Sequence, residues 1–125
     1  MTPMSRIQRL RRDQSGMSYV FIGLSMMAFL SASMLAIDVG MLMTARTQAQ
    51  SSADAGALAG ATGLVFNSFT DHSASGPAVS GAVSTSRANH VIAKEPSVNP
   101  GDVTFPPDPD TGEFDRVQVS VYRTG

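Results

Sequence analysis

The side chains with the clearest potential for chemistry lie in the second half of the chain. Asp71-His72-Ser73-Ala74-Ser75 fits an Asp-x-Ser-x-Ser pattern, in which hard oxygen ligands hold a divalent cation. That arrangement ordinarily follows a buried apolar strand, and the residues before it, Asn67-Ser68-Phe69-Thr70, are mostly polar. Asp108-Pro109-Asp110-Thr111-Gly112 has the outline of a calcium loop, but its glycine comes one position early and no distal bidentate glutamate follows. A turn between strands explains it better. His72 and His90 are the only histidines; neither stands at metal-ligand or catalytic spacing from another residue, so both read as exposed polar side chains. No nucleophile-elbow pattern supports a triad. With no cysteine there is no disulfide and no thiolate metal site. The chain is therefore expected not to be an enzyme, with no catalytic residue, no metal and no cofactor.

The elements that carry these residues follow from length and charge. A chain of 125 residues has room for one membrane span and one modest domain, which excludes a large catalytic fold. The net charge of −1 supplies no field to attract nucleic acid. The average conceals an asymmetry: Arg6, Arg9, Arg11 and Arg12 crowd the start, and Asp13 is the only acidic residue before a long apolar stretch. From Gly16 to Ile37 no side chain is charged, and Tyr19 to Leu30 is apolar on every face. About 21 helical residues make roughly 31 Å, the hydrocarbon thickness of a bilayer. A helix apolar all round sits in a membrane or at the centre of a large protein, and this chain is too short to bury it. Four arginines before the span and Arg46 alone soon after it predict a cytoplasmic N-terminus and an extracytoplasmic remainder. The basic tail can hold anionic lipid, at about 1 kcal/mol per arginine near the surface. The flexible methionines at 17, 26, 27, 34, 41 and 43 suit a lipid-facing surface.

A cleaved secretory signal has a similar outline, and Ser31-Ala32-Ser33 offers a cleavage region. The apolar segment exceeds the usual signal length, however, and helical character runs on past Asp38, so retention is expected. Residues 38–66 contain no proline and are rich in alanine, serine and glycine. Arg46, Gln50 and Asp54 recur every four residues, and so do Ala45, Ala49, Ala53, Ala57 and Ala61. Gly56 and Gly60 add a small-xxx-small face that lets another helix come close. Ala49, Ala53, Gly56, Ala57, Gly60 and Ala61 are thus the expected helix-packing interface. The partner is either a later helix of the same chain or a helix of another protein.

Asn67 to Pro77 reads as a loop that reverses the chain. Ala78, Val79, Ala82, Val83, Ser86, Asn89 and His90 fall at helical spacing and predict a second, shorter helix from Ala78 to about Ala93, stopped by Pro96. Val103-Thr104-Phe105 and the alternating Val117-Gln118-Val119-Ser120-Val121 read as the two strands of a β-hairpin whose apolar faces cover that helix. The expected fold is an α+β membrane protein: a basic tail over 1–15, a transmembrane helix over 16–37, its extramembrane continuation over 38–66, and a small extracytoplasmic α+β domain over 67–125.

Ala36-Ile37-Asp38-Val39-Gly40, then Arg46, Gln50 and Ser52-Ala53-Asp54-Ala55-Gly56-Ala57-Leu58-Ala59-Gly60-Ala61, resembles the N-terminal module of the TadE/TadG-like proteins of Flp (Tad) pilus assembly. The resemblance covers roughly residues 12 to 64. It implies an inner-membrane component of a machine that assembles thin adhesive pili, a structural or pseudopilin-like subunit acting through helix–helix contacts. It also implies that Asp38 and Asp54 are the family-motif acidic residues, and that the partners are membrane lipid and other pilus or pseudopilin subunits. Asp38 is then either a water-facing boundary marker or a charge contact with another subunit's helix. Where processed members carry a glutamate five positions after the cleavage-site glycine, this chain has Phe21, so processing at Gly16 is not expected. A von Willebrand factor A-like domain, as in longer TadG relatives, does not fit in the remaining length. The competing class is an independent membrane-anchored binding or sensor module whose resemblance ends with its anchor. A shortened TadG-like chain is a third.

Overall fold

The computed structural model describes residues 15–123. Helix α1, Ser15–Phe66, runs 52 residues without a break. Its continuity follows from the lack of proline and from its many leucine, methionine and alanine residues, and Ser25, Ser31, Ser33, Thr47 and Thr62 return their hydroxyls to the carbonyl four residues back. Helix α2 is Pro77–Ala88, followed by a 3-10 turn, Pro100–Asp102, and two short strands, β1 (Val103–Thr104) and β2 (Gln118–Val119). The strands are antiparallel, with Val103 opposite Val119 and Thr104 opposite Gln118, and a bridge between Ser97 and Tyr122 extends the pairing.

The chain divides into two compact units, Met1–Gly40 and Met41–Gly125. In the first, the described residues are one helix long and apolar enough to cross a membrane. Its large side chains are exposed all round, Phe21 at 74% and Phe29 at 76% among them. The expected basic tail, with Arg6, Arg9, Arg11 and Arg12, lies outside the described residues.

The second unit holds the core. Val79 and Ala82 of α2 pack with Val98, Val103 and Val119, and Ala57, Val83, Phe105, Val117 and Val121 close around them. The strand faces thus cover the second helix as their alternation predicts. Pro77 occupies the first turn of α2, where its missing N–H is one of the unsatisfied donors anyway. The helix is shorter than its apolar spacing suggests. The N–H of Asn89 turns back to the carbonyl of Ser86, and a tight turn, Val91–Lys94, takes the positions where helix was expected. Arg87 binds the carbonyl of Val98 at 2.9 Å and holds the following segment against the helix.

Candidate functional site

Helix α1 presents two different faces within the second unit. One carries Ser52, Gly56, Gly60 and Leu64, four apart and all buried. It packs against Ala78, Val79, Ala82 and Ser86, the buried side of α2. Any side chain on the glycines would prevent that approach. A Cβ at Gly56 would overlap the Ser86 hydroxyl and lie 3.0 Å from the Ala82 carbonyl; one at Gly60 would lie 2.9 Å from Val117 Cγ1; one at Gly63 would lie 2.7 Å from Ala78 Cα. Each glycine in a helix interior costs about 1 kcal/mol of helix propensity relative to alanine, and here close packing offsets it. Of the expected interface residues, Gly56 and Gly60 are thus occupied by the chain's own second helix. Ala49, Ala53, Ala57 and Ala61 are half-buried along the edges of the same contact.

Two serines lock the register of the helix pair. Ser52 Oγ donates to the Ser86 carbonyl at 2.8 Å, and Ser86 Oγ donates to the Ser52 carbonyl at 3.2 Å. Both serines are fully buried, and their reciprocal bonds satisfy hydroxyls that would otherwise be costly inside. Nearer the start of the unit, Gln48 Oε1 accepts the N–H of Ile92 at 2.7 Å. Ser86 stands at the helical spacing predicted for α2 and Ser52 opens the alanine-rich string, but nothing in the sequence pairs them, and Gln48 carries no signal of its own.

The opposite face is exposed. Gln50, Asp54, Leu58 and Val65 lie there, Leu58 at 71% and Val65 at 68% exposed, and Asp54 has no ion-pair partner among the described residues. Asp38, in the first unit, is exposed on the helix as well.

The two aspartate motifs organise loops. Asp71 Oδ1 accepts the Ser73 hydroxyl at 2.6 Å and the Ser73 N–H at 3.1 Å, and its carboxylate lies against Gly76, just before α2. Hydrogen bonds from the Ser73 side chain, then from its N–H, hold the Asp71 carboxyl below the usual range. Asp108 closes the loop between the strands. Its Oδ1 takes the N–H groups of Asp110 and Thr111, its Oδ2 takes Arg116 at 2.8 and 3.1 Å, and Gly112 supplies the left-handed turn at φ 74°. The N–H of Asp110 above all, with Arg116 and the N–H of Thr111, lowers the Asp108 carboxyl. His90 is exposed, as expected. His72 departs from its expected exposure: it is half-buried, and its ring stacks on Phe105 at 4.1 Å between centroids and 15° between planes. The partner ring is 33 residues away in sequence, so no local pattern announces it.

The apolar stretch belongs to one unbroken helix, Ser15–Phe66, whose C-terminal half is part of a small α+β unit. Residues 16–63 match the model of the Tad family, described as "Putative Flp pilus-assembly TadE/G-like". The match spans the whole apolar stretch and both faces of α1 up to Gly63. No curated protein and no solved structure matches the chain.

Proposed function

We infer that the protein is a membrane-anchored, pseudopilin-like structural component of Flp pilus assembly. Residues 16–37 cross the cell membrane, the N-terminus is cytoplasmic, and the α+β unit stands outside. The family match over 16–63 carries this reading, because it includes the outer part of the helix as well as the apolar part.

The packing of the outer unit supports one choice of contact surface. Gly56 and Gly60 are taken up inside the chain, so the row of Gln50, Asp54, Leu58 and Val65 meets the helices of other subunits. Leu58 and Val65 give that row apolar area, and Asp54 gives it a charge that selects a basic counterpart. No chemistry is assigned to the module; it acts by holding helices in register.

A photoreactive residue at position 58, introduced in cells that assemble Flp pili, is expected to capture pilus components, and Asp54→Lys is expected to reduce both the capture and the pilus yield. Recovery of lipid or of the protein's own outer unit alone would instead mark an independent anchored module.

A further inference from the structure

The core of the outer unit takes valine and alanine and leaves Phe69 and Phe114 outside it. Both rings are exposed, and with Thr70, His72 and Glu113 they line a half-open groove of about 490 Å³. Two loops far apart in sequence build it, one following α1 and one preceding β2. Exposed aromatic rings gathered at one concavity mark a place where another molecule is met.

The polar groups of this groove are left without partners. Glu113 is its carboxylate, no lysine or arginine lines it, and among the described residues Glu113 makes no ion pair. Asp110 and Asp115, exposed on the same loop outside the lining, make none either. The one basic residue of loop 108–116 is Arg116, and Asp108 holds it at 2.8 Å, so the loop does not neutralise its other carboxylates. His72 Nε2 is enclosed and has no hydrogen-bond partner among the described residues, while its ring stacks on Phe105. An enclosed polar atom without a partner favours whatever brings it a hydrogen bond. Both loops are held in shape beforehand, one by Asp71 on Ser73 and the other by Asp108 on Asp110, Thr111 and Arg116, which lowers the ordering cost of binding.

Phenyl rings beside an unpaired carboxylate suit one kind of group. A guanidinium is planar, stacks on aromatic faces and gives a carboxylate two parallel N–H bonds, whereas an ammonium is a compact, strongly hydrated charge that gains less there. A guanidinium also carries donors to spare for His72. An anion is repelled by Glu113, and a purely apolar group would cover that carboxylate without pairing it. We propose that the groove docks an arginine side chain from a basic segment of a partner protein, its guanidinium against Phe69 and Phe114 and bonded to Glu113. Asp110 and Asp115 carry the negative charge beyond the groove itself, which matches a basic segment better than a lone cation. This surface shares no residue with the row of Gln50, Asp54, Leu58 and Val65 and is a second contact of the outer unit.

The full chain, in phosphatidylcholine nanodiscs, is titrated with acetyl-Gly-Lys-Arg-Gly-amide and with the peptides that carry lysine or citrulline in place of the arginine, and NMR signals of Phe69, Phe114 and Glu113 are followed. The arginine peptide should bind at least about tenfold more tightly than the citrulline peptide and about threefold more tightly than the lysine peptide. Glu113→Gln should abolish the preference over citrulline, and Phe69→Leu with Phe114→Leu should weaken binding at least about fivefold. Both variants should leave the signals of Val79, Val98 and Val119 in place, which shows the core intact. Asp54→Asn should change none of these affinities, so a failure of this site and a failure of the Asp54 row are read apart. Equal binding of the arginine and citrulline peptides, or an undiminished preference in Glu113→Gln, would overturn the site. A lysine peptide as tight as the arginine peptide would overturn the guanidinium. Methylguanidinium as tight as the arginine peptide would make a free cation the occupant and overturn the protein segment.

Discussion

The same helix is built in two ways. In residues 17–43 every face carries large apolar side chains, and Gly16, Gly23 and Gly40 have nothing within 4 Å of where a Cβ would be. In residues 52–64 the packed face is reduced to serine, glycine and one leucine, and Gly56, Gly60 and Gly63 each touch a neighbour so closely that a methyl group does not fit. Backbone geometry is common to both; what differs is the side chains on each face. The first stretch is apolar on every side, as a candidate membrane span is. The second needs one particular helix at one particular distance.

Substitution at glycine separates the two regimes most sharply. Gly56→Leu should destabilise the outer unit by about 3 kcal/mol or more, because neither the Ser86 hydroxyl nor the Ala82 carbonyl can move aside without breaking the helix contact. Gly23→Leu should leave that unit unchanged and favour the helix slightly. Pulse proteolysis of the full chain in lipid, across a urea series, reads both. Equal effects at the two positions would erase the distinction.

Charge insertion tests the solvents instead of the packing. Leu30 is 59% and Leu58 is 71% exposed, so the bare molecule scarcely distinguishes them. Leu30→Lys should oppose membrane insertion by about 3 kcal/mol, measured as the inserted fraction of a glycosylation-tagged chain. Leu58→Lys should alter folding by no more than about 0.5 kcal/mol. A loss of pilus yield in the second variant with intact folding would place Leu58 at a subunit contact.

The register lock sharpens the packed side. Ser52→Ala and Ser86→Ala should each cost about 1 to 2 kcal/mol, since each breaks a buried hydrogen bond. The double substitution should cost less than the sum, because the two bonds belong to one pair. Additivity in the same urea series would mean that the serines act independently.

How much of this was legible in the sequence differs by element. The long helix was, because an uncharged stretch followed by proline-free small residues leaves few other structures. The close-packed glycines were legible as a close approach, but their partner was not. A small residue states how near something comes without stating what it is, and Ser86, which meets Gly56, lies 30 positions along the chain. Helix α2 was expected to run to about Ala93 because the helical spacing persists through Asn89 and His90 and the next breaker is Pro96. The turn that ends it uses isoleucine and alanine at positive φ, where glycine or asparagine would have given a signal. The Asp108 turn did carry such a signal in Gly112. The stacking of His72 on Phe105 depends on a contact between distant segments, which periodicity cannot carry.

The smallest expected effect concerns pH, and it too divides the molecule. Asp71 and Asp108 are held below their ordinary carboxylate values by hydrogen bonds present only in the folded loops. A depressed folded pKa means that the unfolded chain takes up protons first as pH falls. Their contribution is therefore complete above the unfolded value, near pH 4, and is lost as pH drops through it toward the folded one. Between pH 7 and 5 the urea midpoint of the outer unit should be unaffected by these groups. Below pH 4 it should fall, and the difference between the native chain and Asp71→Asn with Asp108→Asn should close, since protonation has already removed what the substitutions remove. Residues 17–37 contain no carboxylate, so their insertion should not change over the same range.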